Sequence, residues 1–222
     1  MEALLNDEIK GQVKEAFAHL EKPVGILFFG QQEDCDYCDQ TLQLVEEVSA
    51  LSDHVHLSKY DIHEDAEIAK AYNVDKTPGL VIASLEDEKL VDYGVRFAGV
   101  PAGHEFSSLI QDIILVSGRD SRLSQGTRDM LANLDKPVSL QVFVTPTCPY
   151  CPQAVILAHQ MAMESPLVQA EMVEATEFPE LSNKHGVRGV PQTTINDGAG
   201  NVVGAVPEQQ LFAEILRSIN AN

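Results

Sequence analysis

Residues 138–152 of the chain read VSLQVFVTPTCPYCP, and residues 24–38 read VGILFFGQQEDCDYC. Each stretch begins with a short apolar run rich in strand-favouring residues, which is typical of a strand buried on both faces. A polar loop follows and ends on two cysteines that are separated by two residues. We therefore expect each cysteine pair to lie where a buried strand gives way to a helix.

The two stretches belong to a repeat that covers most of the chain. The second cysteine pair lies 113 residues after the first, and Pro191 follows Pro78 at the same spacing. Each proline stands 40 residues after the second cysteine of its own half. Because unrelated segments rarely agree at so many positions, the sequence indicates a tandem duplication.

The hydrophobic patterns predict the same elements in both halves. The predicted order is β-α-β-α-β-β-α, with one additional helix in front of each copy. This order is typical of an α/β unit in which helices flank a central mixed sheet. We place the boundary near Gly118, where a predicted helix ends and a polar stretch begins, which gives domains of residues 1–118 and 119–222.

Composition excludes several classes of partner. The chain has 34 acidic and 15 basic residues and a net charge of -19, which repels phosphate backbones and anionic lipids. Its N-terminal residues lack a cationic segment followed by an apolar one, and no apolar run is long enough to cross a bilayer. We expect no nucleic-acid or membrane partner and a cytoplasmic location.

The four cysteines form two Cys-x-x-Cys motifs with none left over. Cysteines at positions i and i+3 on the first turn of a helix can close a small disulfide ring, and the helix N-terminus stabilises a thiolate. We therefore predict that Cys35 and Cys148 are exposed nucleophiles and that the shielded Cys38 and Cys151 resolve the mixed disulfides. A structural zinc ion shared by the two pairs is an alternative, as is an iron-sulfur cluster held with glutathione.

The two motifs differ in the charge that surrounds them. Four carboxylates crowd the leading cysteine of the first motif: Glu33, Asp34, Asp36 and Asp39. The second motif has no acidic residue close in sequence. Because carboxylates oppose thiolate formation, we expect Cys148 to have a lower pKa than Cys35. Solvent screening of exposed carboxylates would remove the difference.

At these motifs the chain resembles the glutaredoxin-like protein disulfide oxidoreductases with two thioredoxin folds, found mainly in thermophilic archaea and bacteria. The likeness covers nearly the whole chain. The segments that carry it are Phe28–Gly30 ahead of Cys35–Cys38, Tyr93–Phe97 with Gly99–Phe106, and Val142–Pro152.

The resemblance implies two tandem thioredoxin-like domains in which both dithiols are active. It implies an enzyme of electron transport and cell redox homeostasis that reduces and oxidises protein disulfides, with isomerisation as a further reaction. The expected partners are protein disulfide substrates and a thioredoxin-reductase-like flavoprotein, and no cofactor is expected beyond the redox-active disulfides.

The repeat and the resemblance together identify further candidate residues. We expect the Thr77-Pro78 and Val190-Pro191 bonds to be cis and these residues to bind substrate, the alternative being ordinary trans turn prolines. Tyr37 and Tyr150 lie between the cysteines, where each ring can meet substrate or simply pack.

Many thioredoxins keep a buried acid that accepts the proton of the second cysteine. Asp61 and Glu174, equivalent in the repeat, are the candidates for this role, and solvated strand-end carboxylates are the alternative. No histidine is adjacent to a cysteine in sequence, so no histidine is assigned a role. For Arg96 and His104 we expect surface or capping positions.

Two other functions are compatible with the sequence. One is a dedicated electron-transfer module that delivers reducing equivalents to a peroxiredoxin-type peroxidase, similar to the paired thioredoxin folds of the flavoprotein that serves such an enzyme. That group lacks one of the two dithiols, so the presence of both here favours the oxidoreductase. The other is a binding or chaperone module without redox turnover.

Overall fold

The structure is a computed structural model that describes residues 3–87 and 89–220. The outer limits of the two predicted domains, residues 1 and 222, lie outside this part of the chain. The strands are β1 (Val24–Gly30), β2 (Val55–Asp61), β3 (Gly79–Glu86), β4 (Lys89–Ala98), β5 (Val138–Val144), β6 (Val168–Glu174), β7 (Gln192–Ile195) and β8 (Gly200–Val203). The helices are α1 (Asp7–Phe17), α2 (Cys38–Ser49), α3 (Ala66–Ala71), α4 (Glu105–Gly118), α5 (Gln125–Ala132), α6 (Cys151–Glu164), α7 (Pro179–Lys184) and α8 (Glu208–Asn220), with a short 3-10 helix at Asn196–Gly198.

The α/β fold and the predicted order of elements are confirmed in both halves. Helix α1 begins where the side chain of Asn6 accepts a hydrogen bond from the Ile9 amide, as expected of an N-cap. Every residue of β1 is buried, which agrees with the uninterrupted apolar run that predicted it. Helix α4 ends at Gly118, but the exact domain boundary remains a prediction.

The two halves share one sheet. Its strand order is β2-β1-β3-β4-β6-β5-β7-β8. Strand β4 of the first half pairs in parallel with β6 of the second, from Val95 opposite Ala170 to Ala98 opposite Val173. The hydrophobic pattern predicts this strand only over residues 90–93, because the partner of its second part is supplied by the other half of the chain.

Gly94 marks the point at which β4 approaches β6. Its φ of 80° lies in the left-handed region. A Cβ atom at this position would lie 2.7 Å from the carbonyl oxygen of Val168. A glycine is therefore needed for the close passage between the two halves.

The hydrophobic core is also shared. On one face of the sheet a single buried cluster includes Ile26 and Phe97 of the first half together with Val142 and Met161 of the second. On the other face the two halves have separate, smaller clusters under α3 and α7. Within the described residues, no helix has both the length and the apolar character needed to cross a membrane.

Arg96 is buried, which corrects the expectation of a surface or capping position. Its side chain is 2% exposed. The guanidinium donates to the Tyr72 carbonyl at 2.7 Å and to both carboxylate oxygens of Asp92. The polar contacts explain how an arginine is tolerated inside the sheet layer, since a buried charge must be paired and hydrogen-bonded.

Replacing Arg96 with Met should lower the free energy of unfolding by about 2 to 3 kcal/mol, because the Asp92 carboxylate and the Tyr72 carbonyl lose their donor. Urea denaturation followed by circular dichroism measures the change. Arg217→Met is the matched control, since Arg217 is 70% exposed and pairs with Glu214 at the surface. The control should stay within about 0.5 kcal/mol, and equal losses in both variants would contradict the prediction.

Candidate active site

Each Cys-x-x-Cys motif forms its own disulfide, and in both cases the two Cα atoms are 5.5 Å apart. We call the Cys35 and Cys38 pair the first dithiol and the Cys148 and Cys151 pair the second dithiol. Each lies between the end of a central strand, β1 or β5, and the start of the next helix. The predicted junction between strand and helix is therefore confirmed.

The helices begin one turn later than expected. Helix α2 starts at Cys38 and α6 at Cys151, so only the second cysteine of each pair is helical. Each leading cysteine lies in the turn before the helix, and the Cys148 amide donates to the carbonyl of Thr145 in that turn. Each leading cysteine is three residues before the start of its helix, whose unpaired amides and positive dipole end favour a thiolate, so the physical reason for thiolate stabilisation is preserved.

The exposure of the leading cysteines was predicted correctly only in part. Cys35 is partly exposed, but Cys148 is only 7% exposed. The N-terminus of α4 covers the turn before Cys148, because the His104 amide donates to the Pro146 carbonyl at 2.9 Å. Cys38 and Cys151 are both buried, as expected.

The peptide bonds before both candidate prolines, at Thr77-Pro78 and Val190-Pro191, are cis, which confirms the expected geometry. Gly79, just after the first proline, pairs with Phe29 near the end of β1. Gln192, just after the second, pairs with Phe143 near the end of β5. Both prolines thus lie at the edge of the sheet from which the cysteine loops emerge, and their role in binding substrate remains a prediction.

The tyrosines between the cysteines project from the surface. Tyr37 is 42% exposed and Tyr150 is 68% exposed. Simple packing therefore does not account for either ring. Their position leaves them free to meet a bound substrate, and that role also remains a prediction.

A surface cleft adjoins the first dithiol. Its lining includes Cys35, Cys38, Gln31, Tyr60 and Asp61. The four carboxylates next to Cys35 in sequence are all exposed. Their exposure favours the screened alternative for this dithiol, and the expected pKa difference between Cys35 and Cys148 remains a prediction.

The two proton-acceptor candidates occupy different environments. Asp61 accepts hydrogen bonds from the amides of Glu64 and His63, and these bonds lower the pKa of its carboxyl group. A lowered pKa makes Asp61 a poor proton acceptor, so the structure favours a turn-stabilising role for it.

Glu174 is 2% exposed, so the alternative of a solvated carboxylate is wrong at this position. One of its oxygens accepts three hydrogen bonds, from the amide and hydroxyl of Thr176 and from the amide of Glu177. These bonds hold the carboxylate as the cap of a turn.

Glu105 is a candidate that the sequence analysis missed. It is the first residue of α4, is 1% exposed, and accepts a hydrogen bond from the Ser108 hydroxyl at 2.6 Å. Burial raises the pKa of its carboxyl group to about 7, with the hydrogen bond from Ser108 opposing the rise. An acidic residue at the start of a helix is usually exposed and interacts favourably with the helix dipole. The sequence position of Glu105 therefore did not indicate that its side chain is buried.

Helix α4, which begins at Glu105, meets the second half of the chain. The α4 N-terminus contacts the turn before Cys148, and further along the helix α4 packs against α6, which begins at Cys151. A second open groove lies between these helices, with Ser107 of α4 facing Pro152 and Gln153 of α6. Glu105, the first residue of α4, therefore belongs to the first half of the chain and directly follows the residue that contacts the turn before Cys148.

The comparisons with known proteins agree with this geometry. A family model described as a thioredoxin domain matches residues 25–111 and again residues 138–217. The alkyl hydroperoxide reductase protein AhpF from Staphylococcus aureus is 28% identical over 220 residues, which cover 99% of this chain and 39% of that protein. The chain thus spans about two fifths of the length of this curated relative.

Two solved structures are similar over almost the whole chain. A protein disulfide oxidoreductase from Aeropyrum pernix K1 is 29% identical with a TM-score of 0.87, covering 95% of this chain and 91% of the other. The AhpF protein from Enterococcus faecalis is 26% identical with a TM-score of 0.85, covering 95% of this chain and 99% of the other.

Substitution of Gly103 tests the contact between the N-terminus of α4 and the turn before Cys148. Its φ is 61°, and a Cβ atom would lie 2.2 Å from the Pro146 carbonyl oxygen. Gly103→Ala should displace the turn and slow alkylation or exchange at the second dithiol while the first keeps its rate. Mass spectrometry of the separately reduced dithiols measures both rates. Gly126→Ala, at a position with open space around it, is the control, and equal behaviour of the two variants would contradict the prediction.

Proposed function

The chain belongs to the thioredoxin-domain family, and from this premise we propose that it is a thiol-disulfide oxidoreductase that acts on protein disulfides through both dithiols. The observation that carries the proposal is the pair of disulfides, each at a junction of strand and helix beside a cis proline. The cleft beside the first dithiol opens to the surface, and so does the groove along the start of α6, next to the second dithiol in sequence. An open cleft leaves room for a disulfide on the surface of another protein.

In the reducing direction the chemistry runs through a mixed disulfide. The Cys148 thiolate attacks one sulfur of the substrate disulfide, which breaks that bond and releases the other sulfur as a thiolate. The Cys151 thiol then loses its proton and attacks the Cys148 sulfur. This second step releases the substrate as a dithiol, and two electrons have passed from the protein to the substrate. Cys35 and Cys38 perform the same steps in the first half.

The second step needs a group that accepts the Cys151 proton. We assign this role to Glu105, which is buried and directly follows His104, the residue that contacts the turn before Cys148. Burial raises the pKa of its carboxyl group to about 7. A general base works best when its pKa is near the working pH. Asp61, the candidate that lines the cleft at the first dithiol, has a lowered pKa, so the second dithiol should be the faster one at neutral pH.

Turnover in the reducing direction requires an electron donor, and we propose a thioredoxin-reductase-like flavoprotein for this role. Such a donor delivers electrons two at a time, as a dithiol requires. We propose a cytoplasmic location and a role in cell redox homeostasis, because all four cysteines belong to redox motifs and none is left to form a structural disulfide.

A second candidate function is electron delivery to a peroxiredoxin-type peroxidase. The similarity to AhpF over 99% of this chain favours it. The two functions make different demands on the substrate, since one requires a broad range of protein disulfides and the other a single peroxidase.

Variants that lack one dithiol test the proposal. Insulin reduction should persist in Cys35→Ser/Cys38→Ser and fall strongly in Cys148→Ser/Cys151→Ser, because we assign the buried Glu105 to the second dithiol as its proton acceptor. The chain with all four substitutions is the control for uncatalysed reduction. A wild type no faster than this control would overturn the oxidoreductase, and support of a peroxidase without insulin reduction would favour the second candidate.

The Glu105→Gln variant tests the proton acceptor. In the wild type the carboxyl group must be ionised to accept a proton, so the rate at the second dithiol should rise as the pH increases through about 7. The variant should lose this dependence and be slower on the order of 100-fold at pH 8. Stopped-flow kinetics of mixed-disulfide resolution measures both effects. Glu208→Gln, at the start of α8, is the control, and an unchanged pH profile in Glu105→Gln would rule the carboxyl group out.

A further inference from the structure

A buried polar cluster lies between α4 and α6, two turns away from the second dithiol. Asp112 of α4 and His159 of α6 are both fully buried, and the His159 Nδ1 atom is 2.6 Å from the Asp112 Oδ2 atom. The second ring nitrogen, Nε2, is 3.1 Å from the main-chain carbonyl oxygen of Arg96. The cluster thus joins α4 of the first half, α6 of the second half and β4, the strand through which the two halves share one sheet.

These contacts determine how many protons Asp112 and His159 hold together. A carbonyl oxygen only accepts hydrogen bonds, so His159 Nε2 must carry a hydrogen. The contact between Nδ1 and Oδ2 then needs one further proton, which lies either on the imidazole or on the carboxyl group. In both forms the pair has no net charge, which makes its complete burial tolerable.

Glu105 shares one face of α4 with Asp112, since seven residues correspond to about two helical turns. The Ser108 hydroxyl lies between them and donates to Glu105. Glu105 Oε1 and Asp112 Oδ1 are both buried without a hydrogen-bond partner among the described residues. The two carboxyl groups and the imidazole therefore interact in a low-dielectric region, where charges act strongly on each other.

The other charged groups on elements that pack against α4 are engaged elsewhere or face solvent. On β3, Glu86 pairs with Arg119, and on α6, Glu164 pairs with Arg128. Lys10 of α1 pairs with Glu47, and the remaining charged residues of α1 are exposed: Asp7, Glu8, Lys14 and Glu15. The Arg96 guanidinium is bound to Asp92 and Tyr72. The Asp112 and His159 pair is thus the buried charge system that faces Glu105.

We propose that Asp112 and His159 are positioning residues that set the proton affinity of Glu105 and thereby the pH range in which the second dithiol turns over. Asp112 fixes the position of the His159 ring through the contact with Nδ1, and the interaction with His159 favours the ionised form of the Glu105 carboxyl group. Beside the dominant effect of burial, the pKa of Glu105 is accordingly lowered by His159 and, to a smaller extent, raised by Asp112. This inference rests on the proposed proton transfer from Cys151 to Glu105.

The Asp112→Asn variant removes the acid but keeps the shape and both hydrogen bonds of His159. The asparagine amide can donate to Nδ1, which leaves the imidazole neutral. Glu105 then loses the favourable interaction with His159, which is larger than the unfavourable one with Asp112, so its titration midpoint should rise by about one unit. The carboxylate fraction at pH 6 should fall about tenfold. His159→Gln should shift the midpoint in the same direction.

Two measurements on the full-length oxidised and reduced protein separate the inference from the proposed function. Carbon-13 NMR of glutamate-labelled protein follows the Glu105 carboxyl, which is assigned by its absence in Glu105→Gln. Stopped-flow kinetics follows resolution at the second dithiol against pH. Ser117→Ala, which alters another buried hydrogen-bonding residue of α4, is the control for a loss of stability alone, and the first dithiol is the internal kinetic control.

The inference predicts that the midpoint of Glu105 and the kinetic pH profile move together in both variants and stay fixed in Ser117→Ala. An unmoved Glu105 midpoint in folded variants would overturn it. A moved midpoint with an unmoved kinetic profile would overturn the link to turnover and, with it, the proton role of Glu105. If neither variant folds, a wild-type Glu105 midpoint near the ordinary value of about 4.3 would overturn the inference on its own.

Discussion

The parallel pairing of β4 with β6 is the interaction on which the remaining structure depends. It joins two four-stranded sheets into one and merges the cores on one of their faces. It also brings α4, which follows β4, against α6, which precedes β6. The buried cluster of Glu105, Asp112 and His159 exists only because these two helices meet. The pairing itself depends on Gly94, where a side chain would collide with the backbone of the second half.

The sheet that the two halves share also gives the two dithiols different surroundings. Near the first dithiol the carboxylates are exposed, and Asp61 is engaged in a turn. At the second dithiol both cysteines are buried, and the helix that contacts the turn before Cys148 begins with Glu105, whose burial raises the pKa of its carboxyl group to about 7. The difference arises from the contact between the halves, because the N-terminus of α4 contacts the turn before Cys148.

The local elements could be predicted from the sequence because each has a clear hydrophobic period and a matching copy in the other half. The cis prolines were predictable for the same reason. The second part of β4 was not, since its partner strand comes from 70 or more residues later in the chain. Arg96, Glu105 and His159 were assigned to the surface or given no role, because charged residues usually face solvent and only the packing of the two halves shows that these three are buried.

Because of the position of Glu105, the duplicated fold unit does not coincide with the set of residues that carries out the reaction at the second dithiol. The second copy of the fold supplies the sulfur atoms, and the first copy supplies the acid. Such an arrangement ties the two copies together after duplication, since neither can be exchanged or lost without leaving the other with an incomplete centre. A chimera built by joining halves of two relatives would therefore preserve every cysteine and still combine a dithiol with a proton acceptor that was shaped for a different one.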